Sequence, residues 1–467
     1  MTVPLADVPG VYSGRSDPCL IYGAQRRSWR DLDHESDVWA NELRERGVTP
    51  DDLVAFTLPN GPDFLAATFG IYKVGATPAP LSPKLPDAEL REILQVMRPA
   101  AFMCDPPSSP RRVAGRVGPV SRSWKACTSG GSTGRPKVIV DHRPAAFDPE
   151  QTFIALPRDA CVLVPGPLYH NAPFSAAVLA LARGNRLAIM DRFDPEEALA
   201  LAARERSTWA LMVPTMMHRI WRLPAATRDK YDLSALECIV HTAAPMPEWL
   251  KRAWIEWLGP ERIWEVYGAT EGLARAWIGG AEWLERPGSV GRAIGDARFR
   301  IVDEQGREQP PGGIGEIYAM PPGGPGSTYH YIGAERRADP EGWESVGDIG
   351  WLDEAGYLFL ADRRQDLIIS GGVNIFPAEV EAALLLHPSV QSCAVVGIED
   401  EDLGQAVHAV VQSDDPDLDC AQVREFLRDR LVATKNPRTL EVRAGPVRDD
   451  AGKVRKSTLT TGGSIHA

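Results

Sequence analysis

The sequence lacks several features that would assign it to a class at once. No stretch of roughly 18 uninterrupted apolar residues occurs, so no membrane-spanning helix is expected. Residues 1–12 have neither a basic nor an apolar segment, and we expect no signal peptide. The seven cysteines are scattered, with no C-x-x-C pair and no histidine at a spacing suited to zinc. We therefore expect thiols in a reducing cytoplasm.

An excess of positive charge is also missing. Asp plus Glu number 63 against 51 Lys plus Arg, which gives a formal net charge of −12. This balance argues against nucleic acid or an anionic membrane as a partner. Any anionic ligand must be held by local donors, because the overall field of the protein opposes it.

The first 360 or so residues alternate short apolar runs with amphipathic segments. Residues 53–58 predict a buried strand that stops at Pro59-Asn60-Gly61, and a helical spacing follows up to Gly75. The unit recurs as strand 187–190, helix 195–204 and strand 209–213. Strand–helix–strand alternation implies parallel sheets covered by helices.

We predict an α/β protein, and two changes in composition predict how it is divided into domains. Residues 1–364 are predicted to form a large N-terminal domain of α/β subdomains with parallel-rich sheets. Turn residues become dense after position 280 and predict a small β subdomain at about 280–362. Residues 365–467 carry their own strands and helices and predict a small α+β C-terminal domain.

The strongest local signal is the segment TSGGSTGRPK at residues 128–137. Its glycines let backbone N–H groups approach an anion, and its hydroxyls and Lys137 add donors and charge. The candidate phosphate-binding residues are Thr128, Ser129, Gly130, Gly131, Ser132, Thr133, Gly134 and Lys137. The segment is not a P-loop of the ATPase type, since Pro136 precedes the lysine and no Ser or Thr follows it. Alone it also fits a flexible surface loop.

Two further segments indicate nucleotide binding only when they are considered together with the others. In Tyr267-Gly268-Ala269-Thr270-Glu271, the aromatic ring can stack on a purine and the carboxylate suits Mg²⁺ beside phosphates. Asp348, between glycines and followed by Arg363, is placed to accept hydrogen bonds from two ribose hydroxyls. Chance occurrence and an Asp-Gly turn are the competing interpretations.

The tail contributes Gly371-Gly372 and, near its end, Gly452-Lys453. In order and spacing, all five segments together resemble the adenylate-forming superfamily of acyl-CoA synthetases, peptide-synthetase adenylation domains and luciferases. Supporting stretches are residues 70–76, 167–171 and 241–246. Within the superfamily, the sequences of these motifs are most similar to those of bacterial CoA ligases for aryl, alicyclic or bile-acid-like carboxylates.

The resemblance implies ATP, Mg²⁺ and coenzyme A as cofactors, and roles for particular residues. Residues 129–137 would cradle the β- and γ-phosphates. Tyr267 and Gly268 would lie against adenine, opposite Ala243 and Ala244. Thr270 would contact the α-phosphate, Glu271 would hold Mg²⁺, and Asp348 with Arg363 would bind the ribose. Lys453 would bridge the carboxylate and the α-phosphate during adenylation.

The tail domain would then rotate about a hinge at Gln365. This motion would withdraw Lys453 and bring Gly371 and Gly372 to a pantetheine tunnel. His170 would gate the acyl pocket, unless it is a satisfied loop histidine. The weaker pocket candidates are Asn171, Phe174, Thr242, Ala269 and Leu273.

Three positions depart from the family pattern. Gly130 stands where relatives usually carry a hydroxyl residue, Asp362 where they carry Gly, and Gln365 where the hinge is usually Asp or Lys. Gly130 would leave the loop one phosphate donor short, whereas Gln365 could still serve as the hinge, since a hinge needs permissive backbone torsions more than charge.

The expected function is ATP-dependent activation of an aromatic or alicyclic carboxylic acid, followed by acyl transfer to coenzyme A. Alternatives keep the same adenylation machinery: loading of a carrier protein, amide formation, or nitrite-dependent diazotisation of an aryl amine. A non-catalytic ligand-binding relative is a third hypothesis, against which Lys453, Glu271 and Asp348 speak. A homodimer is a family-level expectation.

Overall fold

The structure is a computed structural model that describes residues 2–109, 111, 114–129, 136–150, 155–363, 366–371, 373–449, 452, 454 and 459. Within these residues the α-helices are α1 (Val8–Val11), α2 (Trp29–Glu45), α3 (Pro62–Lys73), α4 (Asp87–Met97), α5 (Asn171–Ala182), α6 (Pro195–Arg204), α7 (Pro214–Trp221), α8 (Ala225–Arg228), α9 (Glu248–Leu258), α10 (Gly280–Glu285), α11 (Pro377–Leu384) and α12 (Cys420–Arg428). None of them is both long and apolar enough to cross a membrane.

The strands of the same described residues follow in chain order. They are β1 (Val3–Pro4), β2 (Pro18–Tyr22), β3 (Gln25–Ser28), β4 (Leu53–Phe56), β5 (Thr77–Pro80), β6 (Ala101–Met103), β7 (Ala126–Ser129), β8 (Lys137–Asp141), β9 (Ala146–Phe147), β10 (Cys161–Val164), β11 (Arg186–Ile189), β12 (Trp209–Met212), β13 (Cys238–His241), β14 (Ile263–Gly268), β15 (Arg275–Gly279), β16 (Ser289–Ala293), β17 (Arg298–Val302), β18 (Gly315–Met320), β19 (Tyr329–Ile332), β20 (Asp348–Leu352), β21 (Leu358–Arg363), β22 (Ile368–Ser370), β23 (Val373–Ile375), β24 (Ser392–Asp400), β25 (Gly404–Gln412) and β26 (Thr439–Arg443).

One long sheet organises the first 363 residues. Its order is β17-β18-β20-β21-β16-β15-β14-β13-β12-β10-β11-β2-β3. Strands β2, β11, β10, β12, β13 and β14 pair in parallel, whereas β3 and the strands from β15 onwards pair antiparallel. The predicted α/β class with a parallel-rich sheet is confirmed.

The β-rich segment differs from the expectation in one respect. Strands β15 to β18, β20 and β21 extend the edge of the parallel sheet, and β19 pairs with β8 beside the phosphate-loop segment. The reason is that β14 ends in a turn and β15 returns beside it over Gly268↔Arg275 to Trp264↔Gly279. This region is therefore continuous with the large sheet.

Smaller sheets form beside the long one. Strands β5, β4 and β6 form a parallel sheet, and β19, β8 and β7 form an antiparallel one. After residue 366, strands β23, β22, β25 and β24 with β26 form a separate mixed sheet. Helices α11 and α12 cover it, and Val380, Val395, Val423 and Leu427 are fully buried in the core beneath them. The α+β character of the tail is thus present.

Local chemistry sets the packing of α2 against α3. Ser28 begins α2 with a capping box, in which its hydroxyl and Asp31 satisfy each other's backbone N–H groups. The helices approach so closely that a Cβ at Gly70 would lie 2.4 Å from the Trp39 Cβ. At the end of α3 the ammonium of Lys73, 1% exposed, contacts Asp33 Oδ1 at 2.7 Å and Asp37 Oδ1 at 2.6 Å.

This buried ion pair generates a stability prediction. Lys73→Met leaves the buried Asp37 carboxylate without its cation, so the free energy of unfolding should fall by about 3 kcal/mol. The matched control Arg46→Met removes the exposed pair with Glu42 on α2, and should cost under about 1 kcal/mol. Urea unfolding followed by tryptophan fluorescence measures both, and equal losses would contradict this account of the α2–α3 contact.

Candidate active site

The candidate site begins where three parallel strands end side by side. Strands β12, β13 and β14 are neighbours in the sheet, and the carboxyl ends of parallel strands are where α/β proteins bind ligands. Thr242, directly after β13, donates its hydroxyl to the Val266 carbonyl of β14 at 2.7 Å. Ala243 follows with φ of +75°, a left-handed conformation uncommon for a residue with a Cβ. The 242–244 turn is thereby fixed against the end of β14.

Tyr267 and Asp348 meet although they lie 81 positions apart in the sequence. The tyrosine hydroxyl donates to Asp348 Oδ2 at 2.7 Å, and the Tyr267 ring lies 6.0 Å from that of Phe299. Arg363 stands directly opposite Asp348 in the β20–β21 pairing. The residues proposed for the base and the sugar therefore form one surface.

Lys137 and Glu271 form the other end of the cluster. Lys137 begins β8 and pairs with Ser129 of β7, so the two ends of the phosphate-loop segment are held together. Its Nζ lies 3.4 Å from Glu271 Oε1. Tyr331 of β19 donates its hydroxyl to the same oxygen at 2.6 Å and accepts from Lys137 Nζ at 3.0 Å.

A single five-residue segment joins these two ends. Tyr267 is the next-to-last residue of β14. Glu271 follows it across a turn, which is closed by the Gly272 N–H donating to the Ala269 carbonyl at 3.0 Å. Thr270 is partly buried in this turn. Contacts at its two ends thus bring Asp348 and Lys137, predicted from separate segments, to one place.

Several predicted residues lie outside the described part of the chain. They are Gly130, Gly131, Ser132, Thr133, Gly134, Gln365, Gly372 and Lys453. The residues directly before Gly372 and Lys453 are described. Gly371 donates its N–H to the Leu403 carbonyl at 2.9 Å. Gly452 has φ of +76°, and a Cβ there would lie 2.7 Å from Thr215 Oγ1 at the start of α7. The Gly452 backbone therefore touches the helix that follows β12.

The acyl-side candidates cluster at the start of α5. His170 precedes the helix, partly buried, with its ring 4.7 Å from that of Tyr169. Asn171 accepts from the ammonium of Lys125 through Oδ1, and Ser175 accepts from the same ammonium at 2.9 Å. Lys125 is 4% exposed, and burial lowers its pKa. The buried ammonium of Lys125 is thus a direct hydrogen-bond partner of Asn171.

The remaining pocket candidates have different surroundings. Phe174 is fully buried in the core, with its ring 6.2 Å from those of both Phe64 and Trp124. Leu273 is buried with Ile139 and Tyr329. Ala269 is partly buried in the turn that precedes Glu271, and Gly268 is exposed beside Arg275.

A buried histidine, His241, directly precedes the 242–244 turn. His241, the last residue of β13, is fully buried, and neither ring nitrogen has a hydrogen-bond partner among the described residues. Its Nε2 lies 3.7 Å from Glu265 Oε2, and that carboxylate is paired with the Lys251 ammonium. Burial lowers the pKa of His241 to about 4, so the ring is neutral near pH 7.

Comparison with known proteins identifies the family. Residues 11–123 and 126–329 match the AMP-binding enzyme family, and residues 379–448 match the AMP-binding enzyme C-terminal domain. A feruloyl-CoA synthase of Amycolatopsis sp is 30% identical over 469 residues, covering 94% of each chain. The chain belongs to the AMP-binding enzymes, in their acyl-CoA ligase branch. Its machinery is that of an AMP-forming ligase.

Other proteins resemble the chain in sequence or in fold. A 2-succinylbenzoate–CoA ligase of Bacillus licheniformis is 29% identical, covering 90% of this chain and 91% of its own. The solved amide bond synthetase McbA of Marinactinospora thermotolerans has a TM-score of 0.80 at 25% identity, covering 98% and 99% of the two chains. The anthranilate CoA ligase AuaEII, solved with anthranoyl-AMP, shares the fold with a TM-score of 0.81 at 20% identity, covering 98% and 96%.

Sequence inspection missed Tyr331, Lys125 and Thr215. The alternation Tyr329-His330-Tyr331 predicts a strand with both tyrosines on one face. It does not indicate pairing with β8, which alone brings Tyr331 to Lys137. Lys125 directly precedes β7 and lies close enough to the phosphate-loop segment to be noticed, but its contact with α5 is a property of the fold.

The buried His241 generates a pH prediction. Its pKa is about 4 in the folded chain and about 6.5 when unfolded, so its contribution is present above pH 6.5 and is lost as the pH falls toward 4. Between pH 7.5 and 5 this group should lower the free energy of unfolding by about 2 kcal/mol. His241→Leu should remove that share of the pH dependence in urea unfolding. His34→Leu, at an exposed position, is the control, and an unchanged pH dependence in His241→Leu would contradict the assignment.

Proposed function

We propose that this chain activates a carboxylic acid with ATP, forms an acyl-adenylate with release of pyrophosphate, and transfers the acyl group to coenzyme A. The observation that carries the proposal is the continuity of the site from Asp348 through Tyr267 to Glu271 and Lys137. A surface for base and sugar thus runs directly into a carboxylate and an ammonium suited to a metal–triphosphate. This order is what adenylyl transfer from ATP requires.

The donor set fits Mg²⁺ bound together with phosphates. Glu271 is 7% exposed, and Tyr331 and Lys137 hydrogen bond to its Oε1, whereas within the described residues no hydrogen bond to its Oε2 is found. The described residues contain no group of three His, Cys, Asp or Glu side chains that could hold a metal ion. Mg²⁺ is commonly held by one or two carboxylates and the phosphates of the substrate. When bound, the ion neutralises charge on the triphosphate.

The remaining roles follow the order of the reaction. The acid's carboxylate oxygen attacks the α-phosphorus of ATP, and the bond to the pyrophosphate oxygen breaks. Thr270 would contact the α-phosphate, and Lys453 would compensate the negative charge that develops there. In the second half-reaction the thiolate sulfur of coenzyme A attacks the acyl carbonyl, and AMP leaves. The protein contributes mainly position and charge.

We infer that the two half-reactions use two positions of the tail domain. The domains would be residues 1–364 and 365–467, with the hinge at Gln365 and the pantetheine tunnel lined by Gly371 and Gly372. The approach of Gly452 to Thr215 supports a position in which the tail domain reaches the helix that follows β12. Hinged rotation is a common way of assembling one site for two steps.

The acid is proposed to be aromatic or alicyclic. His170 and Asn171 would line its pocket, and relatives named for ferulate and 2-succinylbenzoate support an aryl acid. Amide formation on the same adenylate is the second candidate, supported by the similarity to the amide bond synthetase McbA. Carrier-protein loading and nitrite-dependent diazotisation would use the same nucleotide site. A cytoplasmic setting and a homodimer stay predictions.

Lys453 provides a test that separates the half-reactions. Lys453→Ala should slow acid-dependent pyrophosphate release on the order of 10²–10⁴-fold, because the compensating charge is lost. It should spare thioester formation from a supplied acyl-adenylate. Lys456→Ala, three positions along, is the matched control and should leave both steps intact. Equal loss of both half-reactions in Lys453→Ala would remove its assigned role.

The acceptor and the acid are tested by product analysis. The protein is incubated with ATP, Mg²⁺ and a panel of aryl and alicyclic acids, first alone and then with coenzyme A or an amine. We expect pyrophosphate release with at least one acid and a coenzyme A thioester by mass spectrometry. An amide alone would select the second candidate. ATP binding without pyrophosphate release for every acid would contradict the proposed function.

A further inference from the structure

Tyr331 lies between the two charged groups of the metal–phosphate end. Its hydroxyl donates to Glu271 Oε1 at 2.6 Å and accepts from Lys137 Nζ at 3.0 Å. The face of its ring also lies 4.3 Å from the same Nζ. The direct Lys137–Glu271 distance, 3.4 Å, is longer than either hydroxyl contact. The tyrosine therefore touches both groups with different parts of its side chain.

We propose that Tyr331 is a positioning residue for Mg²⁺ and the triphosphate, which it serves by hydrogen bonding to both the Glu271 carboxylate and the Lys137 ammonium and so fixing their orientation. This inference rests on the proposed function, since it concerns the same nucleotide site. Lys137 and Glu271 already lie within ion-pair distance at 3.4 Å, and without the hydroxyl they would close into a shorter pair. Each would then be less available to its ligand, the metal for Glu271 and a phosphate oxygen for Lys137.

The geometry also fixes which carboxylate oxygen is presented. Tyr331 and Lys137 both contact Oε1 of Glu271. Among the described residues no hydrogen bond to Oε2 is found, so we take that oxygen as the one presented to a cation. A hard oxygen held in one orientation suits the strict geometry that Mg²⁺ demands.

The position of Tyr331 is itself set by the fold. It stands opposite Ile139 in the β19–β8 pairing, and Lys137 begins β8. Tyr329, two positions earlier on β19, donates its hydroxyl to Glu344 Oε2 at 2.9 Å, but its ring lies 4.8 Å from that of Tyr331, so it is part of the same cluster. The matched control is Tyr231, whose hydroxyl also donates to a carboxylate, Glu196 Oε1 at 2.8 Å, and is not part of this cluster.

The test is the Mg²⁺ dependence of ATP binding, measured by calorimetry without any acid substrate. For Tyr331→Phe we expect the Mg²⁺ concentration for half-maximal tight ATP binding to rise about tenfold, since a hydrogen bond to a charged group is lost. ATP affinity without Mg²⁺ should change less. Tyr231→Phe, which removes a tyrosine–carboxylate hydrogen bond outside the site, should match the wild type in both. A Tyr331→Phe curve that overlaps the wild type, or that weakens ATP equally with and without Mg²⁺, would overturn the proposal.

A double-variant cycle distinguishes action through Glu271 from a general effect on packing. If Tyr331 acts through that carboxylate, Tyr331→Phe in a Glu271→Gln background should add little to the loss of Mg²⁺ dependence. Independent, additive losses would contradict the inference. A wild-type protein whose ATP binding ignores Mg²⁺ would instead count against the proposed nucleotide site as a whole. The two failures are therefore distinguishable.

Discussion

An acidic protein that binds a triphosphate must keep its few local cations next to the phosphates. This chain carries a formal net charge of −12, so the overall field disfavours ATP and local donors must overcome it. Lys137 is held 3.4 Å from Glu271, with the Tyr331 hydroxyl bonded to both. A carboxylate next to a bound phosphate is favourable only when a divalent cation lies between them. The proposed role of Glu271 therefore depends on Mg²⁺ being bound with the triphosphate.

The large sheet makes this arrangement possible. Parallel strands β12, β13 and β14 supply the turns at their carboxyl ends, and the antiparallel extension returns β20 so that Asp348 reaches Tyr267. The small sheet of β19, β8 and β7 brings Tyr331 to Lys137. The residues proposed for the base and the sugar thus come from the large sheet and those proposed for the phosphates from the small one, and residues 267–271 lie between the two groups.

Much of this could be predicted from the sequence, because hydrophobic alternation reports local structure. Helix 195–204 lies as predicted, and strand 187–190 is shifted by one residue. The continuity of the β-rich segment with the parallel sheet could not be foreseen, since it depends on the pairing of β14 with β15. Tyr331 and Lys125 were missed for the same reason: a side chain's partner on another strand is a tertiary property. The resemblance to the family, and not composition, assigned roles to Asp348 and Lys453.

The central claim is that separate segments converge on one nucleotide. It is tested most directly by a crystal structure of the protein with a non-reactive acyl-adenylate analogue in which a sulfamoyl group replaces the phosphate. The account predicts adenine against Tyr267 with the 242–244 turn opposite, ribose hydroxyls on Asp348, and the sulfamoyl group beside Thr270. An adenosine bound elsewhere, or with its ribose far from Asp348, would contradict it.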